Sequence, residues 1–215
     1  MDKPAENRLI AGALAVSIAA QGAWMGLWAG GGWQTTVQWL LVAALAAGAA
    51  YQAWMARQRW PAHADMLLLM AALGGLGMMI GGWVDAGFPM QPPMGHHHHH
   101  HHHATTLAGI RTWMVGFMLL FAVPPSAGFS RCLAPIRRKP LLLAMALALD
   151  CTGMITGMFL AAAWWGMPLM HWTGSHFAGH HLAMLIGMLG GMIPAMLLRD
   201  LILRLLERRA VQRAA

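Results

Sequence analysis

Long apolar runs separated by short polar segments constrain this chain more than any other feature. Each run has about 20 residues, the length that an α-helix needs to cross the hydrocarbon core of a bilayer. The chain is 58% hydrophobic and only 10% charged, whereas soluble domains carry about 25% charged residues. The sequence therefore predicts an all-α integral membrane protein, with 1–215 forming a single transmembrane domain. The bundle of about six transmembrane helices is predicted at about 9–29, 35–56, 64–84, 105–125, 140–164 and 177–199. Pro124 and Pro125 are expected to end the fourth span, and Pro168 is expected to break the chain after the fifth.

Basic residues predict the orientation of these spans, because Lys and Arg accumulate on the cytoplasmic side of a membrane. Of the 14 basic residues, all but Arg111 fall in tails or loops that would share one side. We therefore expect both termini to be cytoplasmic, in a bacterial inner membrane. The segment 87–104 and the loop between spans five and six would then face the periplasm. The formal charge of +7 follows this orientation and does not indicate a nucleic-acid partner.

Histidine and methionine accumulate on the predicted outer side. Of the 13 histidines, all but His63 lie in or next to the two outer segments. Methionine precedes histidine in both, at Met90 and Met94 in the first and at Met167 and Met170 in the second. The candidate metal ligands are Met90, Met94, His96, His97, His98, His99, His100, His101, His102, His103, His171, His176, His180, His181 and Met184.

The mixture of the two residue types indicates which metal is expected. Thioether sulfur is a soft ligand that selects Cu(I), whereas imidazole suits copper, zinc and nickel alike. The sequence therefore favours copper over zinc or nickel. The uninterrupted run 96–103 defines no coordination geometry, so we expect it to capture metal loosely. An engineered tag is the alternative explanation of this run, although its Met- and Pro-containing flank favours a native segment.

Span six has a four-residue pattern that begins with histidine and continues with methionine. Residues four apart share a helix face, and the stripe drifts by about 40° at each step. His176, His180 and Met184 are thus expected to approach one ion at the outer mouth, and His181 with Met184 offers a second pairing. A methionine packing stripe is the alternative, and packing is the favoured interpretation of Met192 and Met196.

Span five places Asp150 near mid-bilayer, where an ionisable residue is a functional candidate by default. A hydrogen bond to a neighbouring helix is the structural alternative. The candidate pathway that continues inward from the outer ligands consists of Asp150, Met154, Met158 and Met188. Asp85 and Arg111 lie near the outer surface and are predicted to form a structural ion pair.

The Met-x-x-x-Met elements and the Gly153–Gly157 and Gly187–Gly191 spacings resemble elements of the eukaryotic copper-uptake family of three-helix trimeric channels. That family also carries outer Met- and His-rich segments, so the resemblance implies copper uptake. The six predicted spans and the order of the elements depart from the family's pattern.

Two functions are therefore predicted. The first is copper handling at the outer face, as a permease or a metal-delivery factor that works with a periplasmic metal carrier or a membrane oxidase complex. The alternative is an accessory subunit of a respiratory or oxidase-type complex, with its outer histidines near the partner's metal centre. No nucleophile triad, P-loop or dinucleotide fingerprint is visible, so enzymatic activity is not favoured and no catalytic residue is assigned.

Overall fold

The computed structural model describes residues 3–28, 32–85 and 112–214, and every regular element in these ranges is helical. Five stretches are long and apolar enough to cross a membrane, and the apolar helix Trp113–Phe129 is shorter. The α-helices are α1 Lys3–Trp28, α2 Gly32–Met55, α3 Ala62–Leu69, α4 Gly75–Asp85, α5 Thr112–Phe129, α6 Pro140–Thr173 and α7 His176–Ala214. The membrane-length stretches are Pro4–Leu27, Trp33–Met55, Ala62–Asp85, Pro140–Thr173 and Ala178–Leu206.

Proline does not end helices where the sequence predicted that it would. Pro124 and Pro125 were expected to end the fourth span near residue 125, but α5 continues through both to Phe129. Pro168 was expected to break the chain after the fifth span, but α6 continues through it to Thr173. Proline is tolerated inside membrane helices because neighbouring groups and small helical adjustments satisfy the carbonyl that it frees. Both α5 and α6 consequently end later in the chain than predicted.

A π-helical turn, Met70–Gly74, joins α3 to α4. Such turns disrupt the regular i→i−4 pattern of backbone hydrogen bonds and often occur at functional sites. The buried side chain of Gln21 on α1 meets the turn, and its Nε2 donates to Ala71 O at 3.2 Å and Ala72 O at 2.8 Å. Gly75 permits this approach, since a Cβ there would overlap Gln21 Oε1. The α1 helix therefore holds the turn in place.

Glycines bring α6 and α7 into backbone contact. A Cβ on Gly157 would overlap the Gly187 carbonyl, and one on Gly153 would overlap Ala195 Cβ. Close approach of this kind is the usual role of small residues spaced four apart in membrane helices. The glycines thus act in helix packing, and α7 is fixed against α6 along much of its apolar length.

Interhelix contacts gather several basic loop residues at one end of the bundle, here called the basic end. Arg57 Nη2 donates to Asn7 Oδ1 at 2.8 Å. Arg131 Nε donates to Asp65 Oδ2 at 2.6 Å, and its Nη2 donates to the Trp60 carbonyl at 3.0 Å. The hydrogen bond that Arg131 donates to the Asp65 carboxylate raises the pKa of Arg131. The start of α1, the loop before α3 and the loop after α5 therefore lie together.

Candidate functional site

Methionine dominates the interior of the bundle. One contiguous cluster contains fifteen buried side chains, and eleven of them are methionines contributed by α3, the π turn, α4, α5, α6 and α7. This set, called the methionine core below, consists of Met66, Met70, Met78, Met114, Met118, Met154, Met158, Met184, Met188, Met192 and Met196. The methionines of the four-residue pattern on α7 thus pack in one buried cluster with methionines of five other segments.

The methionine core extends along the bundle rather than across one level of it. On α7 its flanking polar residues are His181 and Arg199, which lie about 27 Å apart at 1.5 Å per residue. That separation is close to the hydrocarbon thickness of a bilayer, about 30 Å. The π turn borders the core midway, because a Cβ on Gly74 would lie 3.5 Å from Met188 Sδ.

The residues predicted as a pathway lie together. Met154, Met158 and Met188 are buried side by side in the methionine core. Asp150 is fully buried on α6, one turn before Met154. Met192 and Met196, for which packing was the favoured interpretation, are buried in the same core. Burial in this core places the two side chains in line with the pathway residues.

The histidines predicted at the outer mouth occupy different environments. His181 is 3% exposed, and its ring meets that of Trp24 edge-on at 5.8 Å. His180 is partly buried beside α6, since a Cβ on Gly166 would lie 3.7 Å from its Nδ1. His171 is exposed near the end of α6. Of His176 only the backbone is described, at the first residue of α7.

His181 presents an unused nitrogen. Its Nε2 is buried and has no hydrogen-bond partner among the described residues. A buried polar group without a partner costs about 1–3 kcal/mol. Met184, predicted to pair with His181, follows it by three residues, on the same side of α7, and belongs to the methionine core. The imidazole of His181 therefore lies near Met184, the methionine at this end of the methionine core.

Several predicted residues fall outside the described part of the chain. They are Met90, Met94, His96–His103 and Arg111. The predicted partner of Arg111, Asp85, lies within the described residues. Asp85 accepts hydrogen bonds from the backbone N–H groups of Trp113 at 3.3 Å and Met114 at 2.9 Å. These belong to the unsatisfied N–H groups of the first turn of α5, where a carboxylate is favourable.

At the basic end of the methionine core the polar residues are charged and paired. Arg199 Nη1 donates to Asp150 Oδ2 at 2.5 Å, and both side chains are almost fully buried. Arg199 also meets Asp200, whose Oδ2 lies 2.7 Å from His63 Nε2. Asp150 therefore bonds to a residue of a neighbouring helix, which was the structural alternative given for it. Its partner is the charged guanidinium of Arg199.

Two sulfur atoms lie beside this charged chain. Cys132 Sγ is 3.8 Å from Met66 Sδ and 2.9 Å from Ser130 Oγ. Met66 Sδ is also 3.7 Å from Arg199 Nη1. Burial raises the pKa of the Cys132 thiol above its ordinary value. The residue is therefore a protonated thiol at neutral pH, placed where the methionine core meets the charges.

Sequence reasoning missed Arg199 and Met66 as members of the site. Arg199 had been grouped with the basic residues that follow the sixth span, although it comes three residues after Met196 and so continues the same helix face. That spacing was the available signal. Met66 carried none, because only the folded chain brings α3 against the loop after α5.

No protein-family model, curated protein or solved structure matches this chain. Within the described ranges, no three His, Cys, Asp or Glu side chains converge on a point that would hold a metal ion. The interior donors described above are instead mainly methionine sulfurs, with His181 near one end of the core and Cys132 at the other.

Proposed function

We propose that this chain is a Cu(I) permease whose ion passes along the methionine core. The observation that carries the proposal is the continuity of that core between His181 and Cys132. Thioether sulfur is neutral and soft, so it binds Cu(I) without requiring a compensating charge in the membrane. A series of weak sites with similar ligands is also what conduction requires, because the ion must leave each site as well as occupy it.

The number of methionines supports a role beyond filling space. Leucine has almost the same volume, and ordering a buried methionine costs roughly 1 kcal/mol more side-chain entropy than ordering a leucine. Eleven methionines in a single core are therefore a costly way to obtain apolar packing. Sulfur is what they provide and leucine does not.

In this proposal the His181 end receives the ion. The unpartnered Nε2 of His181 and the sulfur of Met184 form the first station inside the bundle. The run His96–His103, Met90 and Met94 collect copper in front of it, and a periplasmic metal carrier supplies it. Positive charge at the basic end supports a cytoplasmic position for that end. Both termini would then be cytoplasmic, in a bacterial inner membrane.

The two alternatives fit the geometry less well. A delivery factor needs only a site at the surface, whereas sulfur continues to the basic end. An accessory subunit that ligates a partner's metal needs histidines that face outward. His171 is exposed, but His181 faces the interior, which favours a site within the chain.

Replacement of methionine by leucine tests the proposal, because the exchange keeps volume and usually costs under about 1.5 kcal/mol. The full chain is reconstituted into vesicles that contain a Cu(I)-responsive dye, and Cu(I) is supplied outside with a non-thiol reductant. We expect Met188→Leu with Met192→Leu to slow the flux about tenfold or more, equivalent to about 1.4 kcal/mol on the barrier.

The matched control is Met145→Leu with Met167→Leu, since these methionines are 55% and 63% exposed. The control should conduct like the unmodified chain. Equal flux in the core variant and the control would reject the proposal and leave the methionine core as packing. Copper retention, measured by elemental analysis after detergent purification without metal-affinity resin, is recorded for every variant.

A further inference from the structure

We infer that the basic end of the methionine core contains a second Cu(I) site, formed by Cys132 Sγ and Met66 Sδ. This inference rests on the proposed function and adds to it the station from which the ion leaves the membrane. It concerns residues that the sequence did not single out as ligands.

The distance between the two sulfur atoms fits a shared ion. With metal–sulfur bonds of about 2.3 Å, as in zinc–thiolate sites, two sulfurs at a trigonal angle lie about 4 Å apart and two in line lie about 4.6 Å apart. The observed 3.8 Å between Cys132 Sγ and Met66 Sδ matches the trigonal arrangement. Met196, one turn before Arg199 and in the same buried cluster, is the donor that would hand over the ion.

The surroundings provide an independent indication of a bound cation. Asp150 is fully buried, and its Oδ1 has no hydrogen-bond partner among the described residues. Its Oδ2 is bound by Arg199 Nη1, which also contacts Met66 Sδ. Asp150 and Asp200 place two carboxylates around the guanidinium of Arg199, and Asp200 also meets His63 Nε2 at 2.7 Å.

Binding at this site exchanges one cation for another. A Cu–S bond to Cys132 forms, the S–H bond breaks, and the proton leaves to water at the basic end, where Cys132 is partly exposed. Copper remains Cu(I), so no electron donor or acceptor is needed. Because one positive charge arrives as another departs, the charge of the buried cluster is unchanged, which avoids the cost of adding charge in a membrane interior.

The chain provides a matched control, since Cys151 is also free and also partly buried. Purified full-length protein is labelled with N-ethylmaleimide, with and without Cu(I) and a non-thiol reductant, and each cysteine is followed by mass spectrometry. Only the free thiolate reacts, so Cu(I) at about ten times its dissociation constant should slow labelling of Cys132 about tenfold. Labelling of Cys151 should not change.

Variants identify the second ligand. Met66→Leu should abolish the protection of Cys132, and Met145→Leu should retain it. X-ray absorption of the bound copper provides a second measurement that does not depend on reagent access. Cys132→Ser should lower the number of sulfur ligands, whereas Cys151→Ser should not.

The outcomes separate the two ideas. Copper that is retained and conducted, with Cys132 labelling and sulfur count unaffected, would overturn this site and leave the proposed function standing. Protection that persists in Met66→Leu would overturn the two-sulfur assignment. A chain that retains no Cu(I) in any form would overturn the proposed function itself.

Discussion

The two ends of the methionine core both bury polar side chains, but they differ in how those side chains are paired. At the basic end the buried Arg199 meets Asp150 at 2.5 Å, and Asp65 meets Arg131 at 2.6 Å. At the opposite end the buried Nε2 of His181 has no partner within the described ranges. Burying a polar group without a partner is unfavourable. The basic end offsets much of this cost by pairing charges, although Asp150 Oδ1 has no hydrogen-bond partner among the described residues. The histidine end has no paired charge, and its buried imidazole nitrogen is left without a partner in the described ranges.

This difference indicates how the stability of each end depends on its buried polar group. A paired charge holds helices in register and resists exchange, because removal of one partner leaves the other exposed to an apolar interior. An unpaired ligand atom costs stability until something binds it. The contrast predicts that similar substitutions at the two ends will change stability in opposite directions.

The largest effect is expected for Arg199→Met, which leaves Asp150 as a buried carboxylate without its partner. Breaking a buried pair from one side costs about 3–5 kcal/mol. Denaturation of the detergent-solubilised protein measures this loss. Arg204→Met, at an exposed position on the same helix, should change stability by less than about 0.5 kcal/mol.

A second variant separates the charge from the packing. Arg199→Met combined with Asp150→Leu removes both charges, and replacement of a buried pair by apolar residues is often neutral or stabilising. The double variant should therefore be more stable than Arg199→Met alone. A double variant as unstable as the single one would mean that the ion pair does not explain the difference between the two ends.

The sequence could predict the all-helical class more readily than the contacts between helices. Apolar length depends on composition along the chain, and it predicted membrane-length helices that the structure contains as α1, α2 and α7. The helix ends at Pro124–Pro125 and Pro168 were wrong, because tolerance of proline depends on neighbours that a single sequence does not reveal.

The site could be predicted in part for a similar reason. Met154, Met158 and Met188 were found because repetition at four residues is visible within one helix. The pairing of Asp150 with Arg199 and of Cys132 with Met66 joins residues 49 and 66 positions apart. Such contacts arise from the packing of different helices, for which periodicity within one helix carries no information.

Between the two ends, Gln21→Leu tests whether the side-chain amide of Gln21 stabilises the π turn beside the methionine core. The substitution removes the donor to the carbonyls of Ala71 and Ala72, and two buried acceptors would lose their partner. We expect a loss of about 2 kcal/mol in the free energy of unfolding. The control is Gln38→Leu on the exposed face of α2. If both variants are equally stable, Gln21 does not hold the turn.

The smallest effect, and the one with the opposite sign, is expected for His181→Leu. Without copper, removal of the unpartnered imidazole should stabilise the protein by about 1 kcal/mol. The substitution removes the cost of burying the nitrogen, and the loss of the contact with Trp24 cancels part of that gain. With Cu(I) present the order should reverse, since only the unmodified chain gains stability from a bound ion. Thermal unfolding with and without Cu(I) measures both changes, and His171→Leu, at an exposed position, should change neither. A His181→Leu protein that is less stable without copper would show that the imidazole supports the fold, and the contrast with the basic end would then be lost.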